Sequence, residues 1–226
     1  MVTPQPEGSP QPSDGNQSGC PYCEQRLETP FCCVSCGQLF RPAEEPTPFE
    51  AFGLPLNYGL DGEELDRRLL RFSRLVHPDF FATAPEEQRR IAEESTAALN
   101  GAFEILSDDA RRADWVIGAL GGPSAQEEKQ LPREFLMEVL EWGERIEEAR
   151  ESPPGSETRA ALDGLVSTLS RRRGQSLSQL NAALVPPPTE RDPRLTEARH
   201  RLNAVHYLGR ALAQLEALRL EQASSR

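Results

Sequence analysis

The chain has 226 residues, with 25 lysines and arginines against 36 aspartates and glutamates, a formal charge of −11. A protein this acidic lacks the net basic footprint of a nucleic-acid binder, and no apolar run approaches the roughly 20 residues of a membrane span. Hydrophobic residues reach only 37%, beside 16 glycines and 20 prolines, so linkers and a disordered end are expected rather than one compact globule.

Residues 1–18 are Pro, Gln, Ser and Gly with no apolar core, a composition expected to be disordered. They resemble neither a signal peptide nor a transit peptide. A soluble protein of a reducing compartment follows, with a bacterial cytoplasm the best fit and a mature mitochondrial form the alternative.

All five cysteines, Cys20, Cys23, Cys32, Cys33 and Cys36, fall in the first 36 residues. An odd number without a secretory signal argues against a disulfide framework. Cys20-Pro21-Tyr22-Cys23 and Cys33-Val34-Ser35-Cys36 are two knuckles separated by nine residues. Facing knuckles make a closed tetrahedral thiolate site, so residues 19–40 read as a small metal-binding domain with Cys20, Cys23, Cys33 and Cys36 as ligands and structural zinc as the expected cofactor. So short a segment needs the metal for its folding energy. A redox dithiol and an iron–sulfur site are the rivals, and Cys32 competes with Cys33 as a ligand.

Residues 41–47, rich in proline and glutamate, read as a semi-rigid linker. Phe49 to Pro55 is one helical turn stopped by Gly53 and Pro55. Asp61 is a plausible N-cap, with Glu64 completing a capping box, for a helix running to about Val76. Leu65, Leu69, Phe72 and Val76 form its apolar stripe, while Arg67, Arg71 and Arg74, with Arg68 beside them, form a basic face. That face leads into His77-Pro78-Asp79, a rigid exposed corner between two helices. The corner suits metal ligands, a His–Asp catalytic couple or a docking loop. A second helix from Pro85-Glu86-Glu87 to about Ser107 returns antiparallel, so His77-Pro78-Asp79 lies at a hairpin tip. A further helix, Asp109 to Leu120, closes a domain over 48–120, and 121–131 is a linker.

The remainder, 132–226, reads as an antiparallel three-helix bundle: Pro132–Arg150, Glu157 to about Leu184, and Arg194–Leu220. The first carries one stripe of Phe135, Val139, Trp142 and Ile146. A second stripe holds Leu136, Leu140 and Gly143, flanked by Met137, Glu141 and Glu144. His200 and His206 are six residues apart on the last helix and do not share a face. With no phosphate loop, no Gly-x-Ser-x-Gly elbow and no strand-rich scaffold, the chain is not expected to be an enzyme.

Helix, His-Pro-Asp, helix resembles the J domain of DnaJ-type co-chaperones. Phe49-Glu50-Ala51-Phe52-Gly53-Leu54-Pro55, His77-Pro78-Asp79-Phe80-Phe81-Ala82, Leu99-Asn100-Gly101-Ala102-Phe103, Phe135-Leu136-Met137-Glu138-Val139-Leu140-Glu141 and Leu202-Asn203-Ala204-Val205-His206-Tyr207-Leu208 resemble the HscB (Jac1) family of iron–sulfur cluster assembly. The resemblance covers residues 48 to about 220, and some members also carry a double Cys-x-x-Cys domain.

It implies an all-α fold, a J-domain hairpin and a three-helix bundle behind the cysteine domain. It implies that His77, Pro78 and Asp79, with Arg67, Arg68, Arg71 and Arg74, bind a DnaK/HscA-type chaperone and stimulate its ATPase. It implies that Leu136, Met137, Leu140, Glu141, Glu144 and Tyr207 bind an IscU-type scaffold. Two positions depart from the family pattern: Phe80 stands where a basic residue is usual, and Gly143 where arginine is common. The competing readings are a general DnaJ-type co-chaperone with other clients and a zinc-knuckle binding or redox module.

Overall fold

The computed structural model describes residues 19–153 and 156–224. The expected disordered leader and the Pro154-Gly155 part of the break after the first bundle helix lie outside the described residues. The fold is all-α, with two isolated antiparallel bridges in the cysteine block, Gly19 with Arg26 and Cys32 with Leu39, as its extended pairings among the described residues. None of its helices there is long and apolar enough to cross a membrane. Within the described residues the chain forms two compact units: everything up to Pro55 with Asp61–Leu106, and Leu56–Leu60 with everything from Ser107 onward.

The first unit contains the cysteine block, α1 (Pro48–Ala51), α2 (Gly62–Val76), a 3-10 turn (Pro78–Phe81) and most of α3 (Glu86–Ser107). Local chemistry sets each boundary. Thr47 and Glu50 form a reciprocal capping box on α1, side chain to backbone in both directions. Asp61 caps α2 by accepting from the N–H groups of Glu63 and Glu64 at 3.0 and 3.4 Å. Glu64 is turned instead to Arg67 and Arg68, each within 2.9 Å. α2 stops at Val76 because a residue before proline is driven out of the helical region, and His77 is extended at φ −61°, ψ 128°. Leu65, Phe72 and Val76 are buried on α2, while Ala92, Ser95, Leu99, Ala102 and Leu106 are buried on α3. Thr96 Oγ1 donates to Val76 O at 3.2 Å and ties the end of α2 to α3.

The cysteine block is docked onto this hairpin. Thr29 Oγ1 donates to Ala51 O at 2.9 Å in a buried bond. Gly53 has φ +59°, and a Cβ there would collide with the Glu28 carbonyl oxygen, so only glycine permits the approach. The proline-rich stretch after the block runs along α3, where Arg41 reaches Glu87 at 2.6 Å and Glu94 at 2.9 Å.

The second unit holds α4 (Asp109–Ala119), α5 (Arg133–Glu151), the single turn α6 (Glu157–Ala160), α7 (Leu162–Leu184) and α8 (Arg194–Ser224). Phe135, Trp142 and Ile146 from α5 meet Leu162, Leu165 and Leu169 from α7 and Leu208, Ala211 and Leu215 from α8 in one core. The helix expected over Glu157–Leu184 is interrupted at Ala161, whose ψ of −10° flattens the ladder. Bonds from Ala161 N to Glu157 O and from Leu165 N to Ala161 O persist on either side of the interruption.

α4 packs with α8 in this unit. The buried Arg199 guanidinium donates to Asp114 at 2.6 Å and to Pro123 O at 2.8 Å. Arg112 lies over the Tyr58 ring, 5.0 Å from its centroid, and donates to Tyr58 O at 2.8 Å. That explains why Leu56–Leu60 belongs here although it interrupts the first unit in sequence.

Candidate metal centre and docking surfaces

The two knuckles are built to one plan. Cys20 N donates to Gln25 O and Glu24 N to Cys20 O, each at 2.8 Å; Cys33 N donates to Gln38 O at 2.9 Å and Gly37 N to Cys33 O at 2.8 Å. Both loops turn through a left-handed residue just after the second cysteine: Glu24 at φ 62° and Gly37 at φ 73°. The left-handed conformation costs a residue with a Cβ about 1–2 kcal/mol, partly offset by glycine's extra unfolded-state entropy. Glu24→Gly should therefore raise the denaturation midpoint of the metal-loaded block by an amount equivalent to about 0.5–1 kcal/mol. A lowered midpoint in chemical denaturation would contradict that reading of the turn.

The knuckles bring the Sγ atoms of Cys20, Cys23, Cys33 and Cys36 all within 4.8 Å of one another. Cys20 and Cys36 are 3.7 Å apart, Cys23 and Cys33 3.6 Å. A regular tetrahedron with metal–sulfur bonds of about 2.3 Å has edges of roughly 3.8 Å, whereas a disulfide needs about 2.05 Å. The donor set and its spacing fit a metal. Cys32 is buried outside the cluster, paired in the bridge with Leu39, so Cys33 takes the ligand position.

Without a metal the four sulfurs cannot share negative charge. Burial opposes a thiolate at Cys33, but the N–H groups of Cys36 and Ser35 outweigh it and bring that thiol down to about 6. At Cys23 a bond from the Gln25 backbone favours the thiolate, yet desolvation and the neighbouring sulfurs win and push it up to about 12. Burial, with the Cys33 and Glu28 charges adding to it and Arg71 opposing, pushes the non-ligand Cys32 up to about 12. Binding a cation must therefore expel protons from the cluster.

At the hairpin tip, His77 is exposed and its Nδ1 accepts from Asp79 N at 3.2 Å. That bond leaves Nε2 to carry the proton of the neutral ring. Pro78 starts the 3-10 turn at its preferred first position. Phe80 is 72% exposed, its ring edge-on to His77 with centroids 6.1 Å apart.

The four arginines of α2 are not equivalent. Arg67 pairs with Glu63 and Glu64. Arg68 is held by Glu64 and by the carbonyls of Phe52 and Gly53 at 2.8 and 3.3 Å. Arg71 makes a two-pronged pair with Glu28 of the cysteine block, both bonds at 2.8 Å. Arg74 is exposed and has no acidic partner among the described residues. Sequence reasoning missed Glu28, and nothing in local spacing signals a partner 43 residues away.

On α5 the two apolar stripes have separate fates. Phe135, Trp142 and Ile146 are buried, while Leu136, Met137 and Leu140 are 47%, 68% and 63% exposed, with Glu141 and Glu144 exposed beside them. The helix is clamped on both flanks. Glu138 forms a two-pronged pair with Arg172 of α7, both bonds 2.9 Å, and the Arg172 guanidinium lies 5.6 Å from the Phe135 ring centroid. Glu134 pairs with Arg201 of α8. Tyr207 is half-buried, edge-on to Phe135 at 5.8 Å with its hydroxyl 3.5 Å from Val139 O, so it supports the patch from beneath.

The sequence profile of the HSCB C-terminal oligomerisation domain matches residues 131–216. The co-chaperone protein HscB homolog of Vibrio vulnificus is 33% identical over 150 residues, 65% of this chain and 87% of that protein. The chain belongs to the HscB co-chaperone family. The Burkholderia mallei HscB homolog is 35% identical over 137 residues, 60% of this chain and 76% of its own length. Among solved structures, chaperone HscB from Vibrio cholerae superposes with a TM-score of 0.63 at 26% identity, covering 78% of this chain and 99% of that one. The human co-chaperone HscB shares the fold, with a TM-score of 0.68 at 21% identity, over 88% of this chain and 97% of that chain. The all-α fold expected from the sequence is thus the fold of HscB proteins.

Proposed function

We propose that this HscB-family chain binds an iron–sulfur cluster scaffold of the IscU type and delivers it to a DnaK/HscA-type chaperone whose ATPase it stimulates. The observation that carries the reading is the exposed trio Leu136, Met137 and Leu140 on a helix clamped from both sides. An unpartnered apolar surface rimmed by carboxylates suits a partner with an apolar face and basic neighbours. Glu141, Glu144 and the supporting Tyr207 complete that surface.

At the other end His77, Pro78 and Asp79 form the docking tip, with Arg67, Arg68, Arg71 and Arg74 behind it to meet acidic groups of the chaperone. ATP chemistry belongs to that partner. Cys20, Cys23, Cys33 and Cys36 hold a structural zinc, whose part is to fold the block; a closed set of four thiolates leaves no open coordination position. The hairpin of α2 and α3 with its tip supplies the chaperone-facing module and residues 132–226 the scaffold-facing one.

Steady-state ATPase of the chaperone, with scaffold present, tests the reading. His77→Gln removes the Nδ1 acceptor that fixes the Asp79 turn, and stimulation is expected to fall to the basal rate while scaffold binding is retained. Stimulation equal to wild type would sink the proposed mechanism. A general co-chaperone with other clients predicts the same loss at His77 but no dependence on Leu136 and Leu140.

A further inference from the structure

Arg71 belongs to the basic face of α2, yet both of its terminal nitrogens are engaged by Glu28 of the cysteine block at 2.8 Å. The block is in register to do this. Thr29 is bonded to Ala51 O, the Glu28 carbonyl sits against Gly53, and Arg41 fastens the far side to Glu87 and Glu94. Glu28 lies between the two knuckles, on the loop whose ends are fixed by Cys23 and Cys33. Its position therefore depends on the integrity of the metal site.

With Arg67 and Arg68 already paired to glutamates of their own helix, the Glu28 contact leaves Arg74 as the cation without an acidic partner on this face among the described residues. A carboxylate that grips an arginine with both oxygens imitates the acidic surface proposed for the chaperone.

We propose that the cysteine block is a metal-dependent cover on the basic face: Glu28 occupies Arg71 in the loaded protein, and loss of the metal releases it for an acidic partner. The inference rests on the proposed docking role of α2. It gives the cysteine module a function the docking tip does not need for itself. The chaperone must displace Glu28 to use Arg71, so docking is weaker with the block in place than without it.

The experiment uses the full chain and a purified DnaK-type chaperone at low salt. Expected is that Glu28→Gln lowers the concentration for half-maximal ATPase stimulation about two- to fivefold, the range an exposed ion pair contributes. Removing the metal from the wild type by chelation should produce the same shift, Glu28→Gln should gain nothing more from chelation, and the gain should vanish in an Arg71→Gln background. The Arg71 Nε–H resonance reads the clamp without any partner and should move on chelation in the wild type but not in Glu28→Gln. An unchanged or weakened response in Glu28→Gln, with His77→Gln still inactive, overturns the cover and leaves the docking role intact. An Arg71 resonance indifferent to chelation overturns it as well. Full stimulation by His77→Gln removes the docking role first, and the cover with it.

Discussion

Scaffold binding is expected to collapse when Leu136 and Leu140 are both changed to alanine, with no loss of fold. Each truncation removes about three buried methylene equivalents at roughly 0.8 kcal/mol apiece. The two side chains are 47% and 63% exposed in the free protein, so about half of that area remains to be buried by a partner. The pair should then cost about 2–3 kcal/mol, a thirty- to hundredfold rise in Kd or somewhat more. Neither side chain belongs to the core of Phe135, Trp142 and Ile146, and the part of each already covered in the free protein limits the loss of stability to about 2 kcal/mol by the same measure, so the fold should survive. Isothermal titration against the purified scaffold reads the first quantity and thermal denaturation the second. A Kd within threefold of wild type removes this face from the scaffold site.

The second large effect concerns the metal. Chelation should unfold residues 19–40 while the bundle of α5, α7 and α8, with its own core, remains folded. The block buries little beyond Thr29, Phe31, Leu39, Cys20, Cys32 and Cys33. Structural zinc in so small a module contributes on the order of 10–16 kcal/mol. Acid should act as chelators do. Binding requires thiolates, so affinity is greatest at high pH and falls as protons compete. In the metal-free block the Cys33 thiol is brought down to about 6, so below that value one more proton competes and the affinity should fall more steeply. Metal content and helicity followed together on acidification test both points. A protein stripped of metal that retains the protease resistance of residues 19–40 would show that docking to α1 and α2 suffices to hold the block.

The parts legible in the sequence were those set by local chemistry. Asp61 starts α2 because its carboxylate accepts from the N–H groups of Glu63 and Glu64, and Pro78 ends it by excluding His77 from helical angles. Cysteine spacing identified the same four sulfurs that the fold gathers. On α5 the 3.6-residue period found both apolar stripes, but period alone does not say which one a neighbour covers. That was decided by α7 and α8, which take Phe135 and leave Leu136 outside.

What stayed hidden depends on chain folding across long separations. The basic face reads as four cations in a row, yet Arg71 meets Glu28 and Arg68 meets backbone carbonyls. α4 looks like the close of the hairpin by proximity in sequence, whereas Asp114 and Arg199, 85 residues apart, join it to the bundle. Buried arginines of this kind carry no signature in composition or period.

The clamps on α5 have a kinetic consequence. Glu138 with Arg172, Glu134 with Arg201, and Tyr207 under Phe135 hold the exposed trio on a backbone that needs no further ordering when a partner arrives. Little conformational entropy is then lost in the encounter, and complexes of that type differ chiefly in how long they last. For a protein proposed to hand its cargo onward, that separates two controls. On the proposed function, Glu141 and Glu144 at the rim would govern how quickly the cargo is met, and Leu136, Met137 and Leu140 how long it is kept.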